Sequence, residues 1–127
     1  MAQLSHERRP ETAARRAEIL RDAQSEMERR FAEPLTVDDV ARAVGTSRRQ
    51  LQRVFEEVAG TTFRTYLAEV RMRHAADRLE GGRTVAAIAR SVGYRQPAQF
   101  AKAFRRHHGV SPSEARAGKR EQVAAPG

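Results

Sequence analysis

The sequence predicts an all-α protein of about seven helices, arranged as two helix-turn-helix units joined by one long linker helix. Three observations carry that expectation. A run of residues recurs with its spacing intact. No stretch alternates apolar and polar residues with the period of two that a half-buried strand needs, and glycine and proline punctuate the chain at short intervals.

The repeat is explicit. Thr36-Val37-Asp38-Asp39-Val40-Ala41-Arg42-Ala43-Val44-Gly45 returns 48 residues later as Thr84-Val85-Ala86-Ala87-Ile88-Ala89-Arg90-Ser91-Val92-Gly93. Beyond the turn the match resumes at an offset of 49, pairing Leu51 with Phe100, Phe55 with Phe104 and Gly60 with Gly109. The inserted residue falls in a turn, where loops tolerate it. One supersecondary unit is present twice.

Taken in order, residues 1–10 are polar and without apolar periodicity, and are expected to form a disordered tail. Residues 11–61 carry a first helix and the first unit. That helix is expected from about Thr12 to Phe31, with Ala13, Ala17, Leu20, Met27 and Phe31 on one face, Arg15, Arg16, Arg21, Arg29 and Arg30 solvated, and Pro34 closing it. In the unit itself Thr36 and Asp39 make a capping-box pattern, and Val37, Val40, Ala41 and Val44 share a helix face. Gly45 permits the left-handed backbone of a sharp turn. Ser47 with Gln50 opens a second helix expected to bury Leu51, Val54, Phe55 and Val58, at positions i, i+3, i+4 and i+7.

Residues 62–80 form the linker helix. Phe63, Tyr66, Leu67, Val70 and His74 make one apolar stripe and Ala68, Met72, Ala75, Ala76 and Leu79 another, so both sides require cover. Gly81-Gly82 stops it. Residues 81–117 form the second unit, whose later helix is capped by Gln96 with Pro97 at the first helical position, where its missing N–H costs nothing. Ser111-Pro112-Ser113-Glu114 starts a last short helix, and residues 118–127 are expected to form a second tail.

Composition narrows the chemistry. The 127 residues hold 24 Lys and Arg against 16 Asp and Glu, a formal charge of +8, and the pI is about 11.2. That excess favours a polyanionic partner, with nucleic acid foremost. Cysteine is absent. Disulfides and thiol nucleophiles are therefore excluded, and a reducing cytoplasm suits the chain. No run approaches the roughly 20 apolar residues of a membrane span, and Met1 to Pro10 lacks a signal-peptide core, so no membrane partner is expected.

Neither cofactor nor metal is expected. His107 and His108, adjacent on a helix, diverge by about 100°. His74 lies on an apolar stripe and reads as a packed residue, and the pairs Asp38-Asp39 and Glu56-Glu57 lack His or Ser partners. An enzyme is not expected.

Leu35-Thr36-Val37 through Phe55, then Thr62-Phe63-Arg64-Thr65-Tyr66-Leu67 with Arg71 and Ala75, then Gly93-Tyr94 through Phe100, Phe104 and Gly109-Val110-Ser111-Pro112, resembles the AraC/XylS family DNA-binding domain across residues 15–117. The resemblance implies a bilobed helical domain that inserts two recognition helices into successive major grooves on one DNA face. It implies a transcription regulator, expected to be an activator touching RNA polymerase, and the chain is similar to the small standalone members that bind DNA as monomers. The pattern departs at Pro97 and Ala98, where members often carry polar residues.

Helical geometry locates the reading face independently. With Leu51, Val54, Phe55 and Val58 inward, Arg49, Arg53 and Glu56 point outward with Gln52 alongside. Arg pairs bidentately with guanine and Gln with adenine, so Arg49, Gln52 and Arg53 are the candidate base readers. The resemblance implies the same three positions. In the second copy these become Ala98, Ala101 and Lys102. Residues 83–108 hold six basic side chains and no acidic one, whereas residues 36–59 hold four of each.

A division of labour follows. The first unit reads double-stranded DNA, and the second grips its backbone with limited reading by Gln99 and Lys102. Arg48, Arg95, Gln96, Arg105 and Arg106, with the capped N-termini at Thr36 and Thr84, are the backbone candidates. The alternative is an adaptor that binds RNA polymerase or another regulator with incidental DNA affinity, which requires an outward apolar patch. RNA binding ranks third, for want of exposed aromatics to stack on bases.

Overall fold

The structure, a computed structural model, describes residues 2–124 in backbone and residues 12–119 in side chain. Seven α-helices appear among the described residues: α1 (Ala2–Arg30), α2 (Val37–Val44), α3 (Arg48–Val54), α4 (Phe63–Arg78), α5 (Val85–Ser91), α6 (Pro97–His108) and α7 (Pro112–Ala124). A π-helical turn, Phe55–Ala59, continues α3, and a 3-10 turn, Leu79–Gly81, closes α4. No strand is present among the described residues. Helix α1 begins at Ala2, ten residues ahead of the expected start near Thr12. The expected first tail, residues 1–10, is therefore helical in backbone from Ala2, while its side chains lie outside the described residues. Those of the expected second tail do so from residue 120, and α7 runs past its boundary at residue 118.

The chain divides into two compact units. The first comprises Met1–Arg30 and Leu35–Tyr66. Here α1 lies across α2 and α3 and buries Ile19, Leu20, Ala23 and Met27 against Val40, Ala41, Leu51, Val54 and Phe55. The apolar stripe of α1 is thus Ile19-Ala23-Met27 with Leu20, four residues apart as one helix face requires. Ala13 is exposed and Ala17 only half-buried, so the stripe begins later than expected. The first turn of α4 closes this core, with Phe63 edge-on to Phe55 at 5.9 Å and Tyr66 tilted against it at 5.6 Å.

Val58 departs from expectation. It is 47% exposed rather than buried. The physical reason is the π turn, in which Gly60 N–H reaches back five residues to Phe55 O. A wider turn advances fewer degrees per residue, so Val58 lags behind the face that Leu51, Val54 and Phe55 occupy.

The second unit comprises Phe31–Pro34 and Leu67–Gly127. Helix α1 ends at Arg30, ahead of Pro34, and Phe31 does not continue its stripe. Instead Phe31 stacks on His74 of α4, ring centroids 4.1 Å apart and 11° from parallel. His74 is therefore a packed histidine. The Arg71 guanidinium donates to Phe31 O at 2.8 Å and Glu33 O at 2.9 Å, fastening this segment to α4. Burial pushes the Arg71 pKa down, with Tyr94 opposing. Leu67, Val70, Met72 and Ala75 of α4, with Leu79 of the 3-10 turn that follows, join Ile88, Ala89, Val92, Phe100 and Phe104 in the core. Arg78 donates to Ser91 O and Oγ at 3.0 and 2.8 Å, and Arg116 of α7 donates to Leu79 O at 3.1 Å and to Arg83 O.

Candidate nucleic-acid interface

Each unit builds its outward helix the same way. In the first, Thr36 Oγ1 accepts from Asp39 N–H while Asp39 carboxylate accepts from Thr36 N–H, a complete capping box. The Thr36 N–H, then its hydroxyl, hold the Asp39 carboxyl below the usual carboxylate range. Gly45 turns left-handed at φ 74°, and Thr46 N–H returns to Ala41 O at 2.9 Å. Ser47 Oγ then accepts from Gln50 N–H to start α3. Leu51, Val54 and Phe55, all at 0% exposure, fix which way α3 faces. Arg49, Gln52, Arg53 and Glu56 are exposed on the opposite side, as the periodicity expects.

The second unit repeats this geometry. Thr84 Oγ1 accepts from Ala87 N–H, and Tyr94 N–H returns to Ala89 O at 2.9 Å, the counterpart of the Thr46 bond. Gly93 supplies the turn at φ 102°. Gln96 occupies the N-cap of α6, but its side chain makes no capping bond. A glutamine side chain is longer than those favoured as caps, and Pro97 at the first position already removes one donor that would need a partner. Phe100 and Phe104 are buried, leaving Ala98, Gln99, Lys102, Arg105 and Arg106 exposed and Ala101 half-buried.

Ion pairing redistributes the charge that sequence counting assigns. Arg48 is held by Asp38 through two bonds of 3.0 and 2.9 Å. Arg53 Nε lies 4.0 Å from Glu57, whose other oxygen takes Arg16 of α1. In the second unit Arg105 pairs with Glu114 at 2.8 Å, so this unit is not uniformly basic. Glu114 sits six residues beyond the segment where the basic excess is counted and is returned to Arg105 by the fold. The Ser111 hydroxyl, then its N–H, and Arg105 hold the Glu114 carboxyl below the usual range. Arg83, Arg90, Arg95, Lys102 and Arg106 are the exposed basic side chains that remain around α5 and α6.

Two features escape sequence reasoning. Arg64, on the first turn of α4, shares a cleft with Gln52, Glu56, Val37, Thr62 and Phe63, beside the exposed face of α3. The link between Arg16 and Glu57 joins residues 41 apart, for which no local spacing gives a signal. No group of three or more metal-ligating side chains occurs among the described residues. None of their helices is long and apolar enough to cross a membrane.

Two capped helix-turn-helix units, each presenting an exposed polar helix over a buried aromatic core, define a DNA-binding domain of the double helix-turn-helix class. A family model described as a helix-turn-helix domain matches residues 40–118. The chain belongs to the AraC-type family of transcription-regulator DNA-binding domains. It is 37% identical over 87 residues to the lactose operon transcription activator of Staphylococcus xylosus, covering 68% of this chain and 31% of that protein. It resembles a crystal structure of an AraC-type transcriptional regulator from Chromobacterium violaceum, at 36% identity and TM-score 0.78, over 90% of this chain and 99% of that one. The DNA-binding domain of AdpA, a global transcriptional factor solved with a target DNA, is similar at 28% identity and TM-score 0.72, over 87% and 97% of the two chains. The family and these relatives are transcription regulators rather than enzymes.

Proposed function

We propose that the chain binds an asymmetric double-stranded promoter site as a monomer, with α3 and α6 entering successive major grooves. The observation that carries this reading is the outward triad Arg49, Gln52 and Arg53, held on one face by three fully buried neighbours. Arg49 and Arg53 suit guanine and Gln52 suits adenine, so the first unit specifies sequence. Ala98 and Ala101 leave α6 with Gln99 and Lys102 for limited reading, while Arg95, Gln96 and Arg106 grip phosphates. Arg48 and Arg105 reach phosphates by exchanging Asp38 and Glu114 for DNA, and the capped ends at Thr36 and Thr84 offer backbone N–H groups. The regulator acts in the cytoplasm as an activator and touches RNA polymerase. The adaptor alternative needs an apolar patch, and the large apolar side chains exposed among the described residues are single valines, Val58 in one unit and Val110 in the other.

A site selected from random DNA provides the test. With about six to ten phosphate contacts, affinity should fall by roughly 10³–10⁵ between 50 and 200 mM salt. Arg53→Ala should cost about 1–3 kcal/mol and relax preference at one base pair. Arg106→Ala should weaken all sequences alike and lower the salt slope by about one. Base preference altered more by substitutions in α6 than in α3 would reverse the assignment, and affinity indifferent to salt would favour the adaptor.

A further inference from the structure

The π turn after α3 exposes Val58, and it also holds Glu57 between two arginines. One carboxylate oxygen takes Arg16 of α1, and the other faces Arg53 Nε at 4.0 Å. Arg16 sits in an unusual way. Its Nε is the single buried side-chain nitrogen or oxygen among the described residues that has no hydrogen-bond partner. An unsatisfied buried donor is unfavourable and calls for an explanation. Here the guanidinium forgoes a bond at Nε while its outer nitrogen reaches Glu57.

Stability does not explain the arrangement. The Arg53 and Glu57 side chains are 52% and 53% exposed, and exposed i,i+4 ion pairs contribute little. What the arrangement supplies is a bias in direction. Arg16 is only 25% exposed and anchors Glu57 from the α1 side, so the carboxylate presents its free edge to Arg53. The second copy lacks the device, because Arg106 stands where Glu57 stands in the first.

We infer that Glu57, anchored by Arg16, is a positioning residue that aims Arg53 at one base and so sets the specificity of the first unit. The inference rests on the reading of Arg53 as a base contact. A guanidinium without such a guide samples many rotamers and finds phosphates as readily as base edges. A carboxylate beside DNA also repels every phosphate in reach. Its two effects therefore have opposite signs: it weakens binding to DNA in general and sharpens discrimination at one position.

The test uses the full chain, a selected site and its single-base variants. Arg53→Ala first identifies the base pair concerned. Glu57→Gln should then raise affinity for unrelated DNA while lowering preference at that same base pair by about fivefold or more, within the roughly 5–150-fold a bidentate contact supplies. Arg16→Met, though on α1, should lower preference at the same pair, and the double variant should lose little beyond Glu57→Gln. A purely structural role would lower the melting temperature and leave relative preferences untouched. Glu57→Gln with unchanged preference at the Arg53 base pair would overturn the proposal even if Arg53→Ala is selective. An Arg53→Ala effect spread evenly over all variants would instead refute the base-contact reading, and the proposal with it. Should Arg16→Met unfold, Glu57→Gln decides alone, since its side chain is exposed.

Discussion

Gly45 and Gly93 occupy the same turn of the two copies, and replacing each by alanine should have different costs. Gly45 has φ 74°, and a Cβ built there meets nothing within 4 Å. The cost of Gly45→Ala is then the left-handed backbone alone, about 1–2 kcal/mol. Gly93 has φ 102°, and its Cβ would lie 3.0 Å from Arg71 Nε and 3.1 Å from its Cζ and Nη2. That group cannot simply swing away, because it donates at 2.8 Å to Phe31 O and at 2.9 Å to Glu33 O. Releasing one bond from a charged donor adds about 1.5–3 kcal/mol, so Gly93→Ala should cost roughly 2.5–5 kcal/mol. Hydrogen exchange in α5 and α6, compared with α2 and α3, reads the two units separately under mild denaturant. In an Arg71→Ala background the extra cost of Gly93→Ala should vanish. Equal costs at the two glycines, or an extra cost that survives the loss of Arg71, would refute the steric account.

Two further outcomes follow from the first unit. Val54→Ala, at 0% exposure, should cost about 1–3 kcal/mol in a denaturant titration, whereas Val58→Ala should change stability by less than about 0.5 kcal/mol, which checks the π turn directly. Because the Asp39 carboxyl is held below its ordinary range by Thr36, its contribution is fully present at neutral pH, above the unfolded value. It is lost as pH falls through the depressed folded value, so stability measured from about pH 5 downward should decline less steeply for Asp39→Asn than for the parent chain.

Much of the fold is legible in the chain because its signals are local. The capping box at Thr36 and Asp39, the glycine turns and the inward faces of α2, α3, α5 and α6 each depend on residues within four positions of one another, and the repeat states the pattern twice. The outward placement of Arg49, Gln52 and Arg53 follows from those inward faces. What escapes is whatever the fold brings together from afar or bends away from ideal geometry. Val58 satisfies an α-helical period and still faces solvent, since one π turn shifts the phase. Phe31 satisfies the period of α1 yet stacks on a histidine 43 residues later. Arg105 stands in a segment without acids, and Glu114 reaches it across the α6–α7 turn. Gln96 has the position of a cap without the short side chain that makes the bond.

The four residues Phe31–Pro34 have a practical bearing on dissecting this protein. They belong with the second unit although first-unit sequence flanks them on both sides, so no single cut separates the two units. The family match begins only at residue 40. A fragment trimmed to that boundary would keep both turns and both polar helices. It would also strip the Arg71 guanidinium of both carbonyls and His74 of the ring it stacks on. A half-buried cation that has lost two carbonyl acceptors is costly. The same cut removes the α1 core residues and the Thr36–Asp39 capping box, so a poor melting curve from such a fragment would describe these missing parts together rather than the helix-turn-helix pattern itself. An informative dissection of the second unit has to supply residues 31–34 as a separate peptide or splice them ahead of Leu67.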